Sequence, residues 1–152
     1  MHPSAARHRD LPALLELAES VRDSFPDYDE TDCRSIFRRN IGRGSILCIR
    51  HQNTIAAALV YSPTHGAIGY LAVRHTMRRR GLGTALMQAA IAALGNSRSL
   101  YLHALRKDDA PGAALYSFYT SLGFAPAQEE TLDGILYRRW IRQPQAIDAE
   151  QT

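Results

Sequence analysis

The apolar positions of this chain change period several times, and each change predicts an element. Leu11, Leu14, Leu15, Ala18 and Val21 recur at three- and four-residue steps, the spacing of one helix face, with Asp10 in front as N-cap. Ser24-Phe25-Pro26-Asp27-Tyr28-Asp29 interrupts that pattern and reads as a surface loop. A second helix, roughly Glu30 to Ile41, carries Cys33, Ile36 and Phe37 on one face and stops at Gly42. Three strands follow, about Ser45 to Arg50, Thr54 to Tyr61 and Ala67 to Val73, turning at Gln52-Asn53 and at Pro63 to Gly66. Helical spacing returns over Leu82 to Leu94, with Leu82, Leu86, Ala89, Ala90 and Ala93 in step, and ends at Gly95-Asn96. Leu100 to Leu105 reads as a buried strand, and Ala110 to Leu122 as a helix closed by Gly123. Phe124 to Glu130 and Ile135 to Ile141, joined at Asp133-Gly134, form a hairpin. The order predicts an α/β (α+β) fold, a mixed sheet with helices on its faces.

Length bounds the architecture. At 152 residues the chain is read as a single domain over 1–142, with 143–152 as a flexible tail. The longest apolar stretches, such as Ile55 to Tyr61, are far too short to span a bilayer, and Met1 to Arg7 lacks the apolar segment of a secretory signal. A cytoplasmic protein with no membrane partner is expected. Cys33 and Cys48 have no metal-ligand spacing and read as reduced thiols, so no metal is expected. The net charge of +3 is mild, and the one dense basic run, Arg78-Arg79-Arg80, abuts a glycine turn. That favours a small polyanionic ligand over a nucleic acid, which would need a long basic face with interleaved aromatics.

The glycine turn carries most of the chemistry. Gly69-Tyr70-Leu71-Ala72-Val73, then Arg78-Arg79-Arg80-Gly81-Leu82-Gly83, then a helix, is a strand, a tight turn and a helix start. Backbone N–H groups converge at such a turn, the helix dipole adds about half a positive charge, and glycine lets the ligand approach the main chain. A phosphate or pyrophosphate is the ligand suggested.

With these residues the chain resembles the GCN5-related N-acetyltransferase (GNAT) superfamily. The family's Arg/Gln-x-x-Gly-x-Gly/Ala signature reads here as Arg78 to Gly83, after Leu71-Ala72-Val73. A second element, Tyr-x-x-x-Gly-Phe, reads as Tyr119 to Phe124. The resemblance implies a GNAT fold, a mixed sheet of six to seven strands and about four helices, splayed where acetyl-CoA binds. It supplies a short first strand from Ala5 to Arg9. It implies acetyl-CoA as co-substrate, with the pyrophosphate on the amides of about Arg79 to Thr84 and the pantetheine arm beside Leu71, Ala72 and Val73. Arg78 takes the motif position, while Arg74, Arg79 and Arg80 read equally as ligands or as surface charge. The cofactor-binding set is therefore Leu71, Ala72, Val73, Arg78, Arg79, Arg80, Gly81, Leu82, Gly83 and Thr84.

The same resemblance implies an N-acetyltransferase acting on a primary amine, small-molecule or peptide, by direct attack in a ternary complex. Tyr119 takes the general-acid position. The base is less plain. Ala67 stands where histone-acetylating members carry glutamate, and Leu100-Tyr101-Leu102-His103 stands where N-terminal acetyltransferases carry Leu-x-Leu-Glu. His103 is therefore the candidate base, or else a core histidine bonded to a backbone carbonyl. His65 belongs to a turn. Gly112 replaces a CoA-contacting asparagine, and neither Asp108 nor Asp109 is assigned its role. Phe25, Tyr28 and Tyr61 are candidate acceptor contacts, with Asp27 nearby and Asp29 facing water. Deprotonating a lysine-like amine at pH 7.4 costs about 4 kcal/mol, and an α-amine less than about 1 kcal/mol, so a site without a clear carboxylate base suits the latter. The absent Glu and Asn leave a catalytically silent acyl-CoA-binding module as the alternative. A homodimer is left open.

Overall fold

The computed structural model describes residues 1–145. In chain order the elements are β1 (Ser4–Ala5), α1 (Leu11–Ser20), α2 (Glu30–Gly42), β2 (Ile46–His51), β3 (Thr54–Ser62), β4 (Ala67–Val73), α3 (Leu82–Leu94), β5 (Leu100–Leu105), α4 (Ala114–Ser121), β6 (Ala125–Leu132) and β7 (Ile135–Arg142). One seven-stranded sheet runs β1-β2-β3-β4-β5-β7-β6. Every neighbouring pair is antiparallel except β4 with β5. No described helix is long and apolar enough to cross a membrane. Of the tail expected over 143–152, Gln145 donates its N–H to Asn96 O, and residues 146–152 lie outside the described residues.

Strand alternation sends successive side chains to opposite faces and builds two cores. On one face, α1 and α2 pack Leu14, Leu17 and Phe37 onto Ala58 and Val60 of β3. On the other, α3 and α4 cover Leu59, Leu102 and Trp140. Among the described residues the first of these cores takes nothing from β5, β6 or β7. That face of β5 and β7 therefore lies beyond α1 and α2.

Most element boundaries fall within two residues of the sequence reading, and the two that differ by more, the end of β1 and the start of α4, do so for local reasons. The first strand is Ser4–Ala5, paired with Leu47 and Cys48, and His8–Asp10 forms a 3-10 turn in place of its expected continuation to Arg9. Asp10 does precede α1, but its carboxylate accepts from Arg7 N–H at 2.7 Å and from Arg50 at 2.6 Å. The N2 position of α1 is Pro12, which has no N–H for a capping side chain. Burial opposes ionisation of Asp10, yet those two donors hold its pKa below the ordinary value.

The last helix starts at Ala114, not Ala110. Arg106–Asp108 is a 3-10 turn, and Gly112 takes φ +91° after Pro111. Asp109 is buried in this connection. It accepts from Arg106 Nη1 at 2.7 Å and Trp140 Nε1 at 3.2 Å, with Arg138 Nε at 3.4 Å. Asp109 therefore ties the β5–α4 connection to β7. Asp109→Ala is expected to cost about 3 kcal/mol by leaving these partners unmatched. Urea unfolding followed by the fluorescence of the single tryptophan measures it, and a midpoint equal to wild type would refute the role.

Candidate active site

The turn between β4 and α3 has the geometry of an anion cradle. Met77 is buried and pins the 3-10 turn His75–Met77 to the core. The chain then takes φ +64° at Arg79 and +77° at Gly81, the N-cap of α3. Gly81 offers no capping side chain, so the first N–H groups of α3 lack an intrahelical partner. Gly83 is different, because neither backbone nor packing requires it. Its φ is ordinary, and an added Cβ would sit 3.5 Å from Phe118 Cζ and 3.9 Å from Val73 Cγ2, normal contact distances. The missing side chain would project toward Phe118 of α4 and Val73 at the end of β4.

The basic side chains divide by what they touch. Arg74 pairs with Glu16 and donates to Ile55 O at 3.0 Å, so it joins α1 to the sheet. Arg78 Nε donates to Val73 O at 3.2 Å, closing the end of β4, while Arg79 and Arg80 are exposed beside the cradle.

Below the cradle the sheet splays. β4 meets β5 only at Ala67↔Tyr101 and Ile68↔Leu102, after which the strands part. Beyond Ile68, β4 has no strand on its β5 side, a geometry open to an extended ligand. A cavity of about 110 Å³ lies in the gap, lined by Phe25, Ile68, Gly69, Tyr70, Leu71, Met87, Leu102, His103 and Tyr119. The structure thus brings Tyr119 of α4 and His103 of β5 to one cleft. Burial, then Asp108 and Asp109, push the Tyr119 phenol up to about 12, so it stays protonated at neutral pH. Its ring packs 5.4 Å from that of Trp140.

Of the three expected acceptor contacts, two stand apart from this cavity. Tyr28 does not line it; its hydroxyl donates to Glu19 Oε2 at 2.6 Å, and that bond holds the phenol at about 12. Tyr61 also lies outside the lining, with its hydroxyl 3.5 Å from Gly44 O. Phe25 does line it, stacked on Tyr70 at 4.8 Å. Asp29 caps α2 by accepting from Asp32 N–H, and His65 sits in the β3–β4 turn beside Ser62. Sequence reasoning did not single out Tyr70 or Glu130. Glu130 Oε2 lies 2.9 Å from His103 Nε2.

A model of the acetyltransferase (GNAT) family matches residues 13–124. The chain belongs to the GNAT family. Solved GNAT structures agree over nearly its whole length. A GNAT-family acetyltransferase from Bacillus cereus ATCC 10987 is 16% identical, covers 95% of this chain and 98% of its own, and superposes with TM-score 0.75. An N-acetyltransferase from Staphylococcus aureus Mu50 is 14% identical over 93% of this chain and 100% of its own, TM-score 0.72. The ribosomal-protein-S18-alanine N-acetyltransferase from Escherichia coli is 21% identical over 97% and 96%, TM-score 0.73. No curated protein matches the sequence. The fold is the GNAT fold, an open mixed sheet of seven strands with four helices. Acetyl-CoA is the co-substrate of GNAT acetyltransferases, and the cradle, with its unpartnered amides and the open space beside Gly81, fits a pyrophosphate. Among the described residues no group of three or more His, Cys, Asp or Glu side chains is placed to hold a metal ion.

Proposed function

We propose that this GNAT acetyltransferase acetylates a primary amine by direct attack in a ternary complex, with Tyr119 as general acid and His103 as general base. The observation that carries the reading is the meeting of Tyr119 and His103 in the cleft where β4 and β5 part. Acetyl-CoA, when bound, supplies an acyl group activated as a thioester. The amides from Arg79 to Thr84 would hold its pyrophosphate, and Leu71, Ala72 and Val73 would flank its pantetheine arm. Backbone N–H near Val73 would polarise the thioester carbonyl. His103 takes a proton from the acceptor amine, and Tyr119 Oη supplies one at the leaving sulfur. A cytoplasmic setting suits the two free thiols, Cys33 and Cys48.

The lining narrows the acceptor. Among the described residues no carboxylate lines the cavity, whose polar side chains are His103, Tyr70 and Tyr119. Without a carboxylate to pair with an ammonium or take its proton, the cavity favours an amine that sheds its proton cheaply. A peptide α-amine is the best match, and the E. coli neighbour named for an alanine of ribosomal protein S18 is consistent with it. A thiol-release assay with peptides bearing either a free α-amine or only a free lysine side chain tests this. Turnover should be at least about tenfold faster for the α-amine at pH 7.4. Equal rates would overturn the acceptor class. No release from either peptide, with acetyl-CoA binding intact, would favour the silent binding module.

A further inference from the structure

We propose that Glu130 is a positioning residue for His103, fixing the ring as the Nε2–H tautomer so that Nδ1 is its basic nitrogen. The inference rests on the reading of His103 as base and adds what selects its working nitrogen. Glu130 is on β6 and His103 on β5, with β7 between them; their side chains meet over β7, Nε2 to Oε2 at 2.9 Å. The other carboxylate oxygen, Oε1, lies 2.8 Å from Arg139 Nε and accepts from Gln128 Nε2 at 3.1 Å. Arg139 in turn lies over the Tyr101 ring, 4.4 Å from its centroid. The bond from His103, together with Arg139, holds the Glu130 carboxyl below its ordinary pKa. An ionised carboxylate only accepts hydrogen bonds, so the nitrogen facing it must carry the proton. Nδ1 keeps the lone pair and has no hydrogen-bond partner among the described residues.

The surroundings hold the ring in this pose. Tyr101 and Tyr137 pack edge-on against it, at centroid distances of 5.8 and 6.3 Å. The polar and charged groups around it are Tyr101 on β5, Glu130 on β6, Tyr137 and Arg139 on β7, Tyr70 on β4 and Tyr119 on α4, with Asp27 of the α1–α2 loop acting on Tyr137. In the proton step an N–H bond of the acceptor ammonium breaks, its electron pair stays on nitrogen, and an Nδ1–H bond forms. The imidazolium is balanced by Glu130 until Nδ1 returns the proton to water. A purely structural pair would hold the same tautomer, but its loss would leave turnover unchanged.

The test uses the full chain with ring-15N-labelled histidine. Long-range proton–nitrogen spectra of the wild type should give His103 as a single Nε2–H tautomer, identified among the six histidines by its loss in His103→Ala. Glu130→Gln should mix the tautomers and lower kcat/KM about tenfold, because the acceptor that leaves Nδ1 as the free nitrogen is gone. Acetyl-CoA affinity by calorimetry should not change. In a His103→Ala background Glu130→Gln should have no further effect. An Nδ1–H tautomer in the wild type would overturn the inference. So would a rate defect in His103→Ala alongside a Glu130→Gln protein whose tautomer and turnover match wild type, which leaves the base reading intact. Full turnover by His103→Ala would instead overturn the base reading and the catalytic part of this inference with it.

Discussion

Gly83→Asp is expected to reduce acetyl-CoA affinity by at least about 100-fold while leaving the fold as stable as wild type. The two effects separate because the position has separate demands. The protein tolerates a Cβ at 83, since the added atom would meet Phe118 and Val73 at ordinary contact distances. Gly83 is also the second residue of α3, where the helix dipole favours an acid by about 0.3–1 kcal/mol, and replacing a helical glycine recovers backbone entropy. The proposed ligand meets the opposite sign. A carboxylate about 4 Å from a phosphate charge, at an effective dielectric near 20, repels it by about 4 kcal/mol. Calorimetry with acetyl-CoA reads the affinity and thermal unfolding reads the stability. An unchanged dissociation constant would remove the pyrophosphate from this turn, and a large loss of stability would show that the glycine serves the fold.

Legibility in the sequence followed how local each cause is. The bounds read for β4, β5 and α3, Ala67 to Val73, Leu100 to Leu105 and Leu82 to Leu94, match the structure. Their hydrophobic period and their stop signals lie within the segment itself. The start of α4 was overrun because Ala110, Ala113 and Ala114 suit a helix, while the buried Asp109 and the positive φ at Gly112 hold the chain out of one. Asp10 was legible as the residue before α1, but its carboxylate answers to Arg50, forty positions away.

The glycine turn and Tyr119 were readable in the sequence, and the surroundings of Tyr28 and His103 were not. Gly81 and Tyr119 sit in patterns a few residues long. Tyr28 reads as a contact from its loop, yet Glu19, nine positions earlier, takes its hydroxyl. Glu130 carries no signal of its own. Its meeting with His103 depends on a strand order in which β7 inserts between β5 and β6, and on the register His103↔Arg139 and Glu130↔Tyr137.

Tyr119→Phe is expected to lower kcat by about 100-fold or more, with acetyl-CoA affinity changed less than about twofold. The ring contacts with Trp140 and Phe118 survive the substitution, and only the proton donor is lost. A phenol held at about 12 is a weak acid, and full transfer to a thiolate of ordinary basicity, near 8.5, would cost about 5 kcal/mol. The cleft offsets that cost, since the burial and the acids that raise Tyr119 also raise the basicity of a thiolate formed beside it. The acid limb of the rate profile should be retained in the Phe variant, and Tyr119 should impose no alkaline limb below about pH 11. Stability gives a second readout with a definite sign. The folded pKa lies above the unfolded value near 10, so the contribution of Tyr119 is whole below about pH 10 and is lost as pH rises through about 12. Between those values wild type should lose stability relative to the Phe variant, and below them the difference should be constant. Equal turnover by the two proteins would remove the acid assignment, whereas a stability difference that does not vary between pH 9 and 11.5 would contradict the raised pKa.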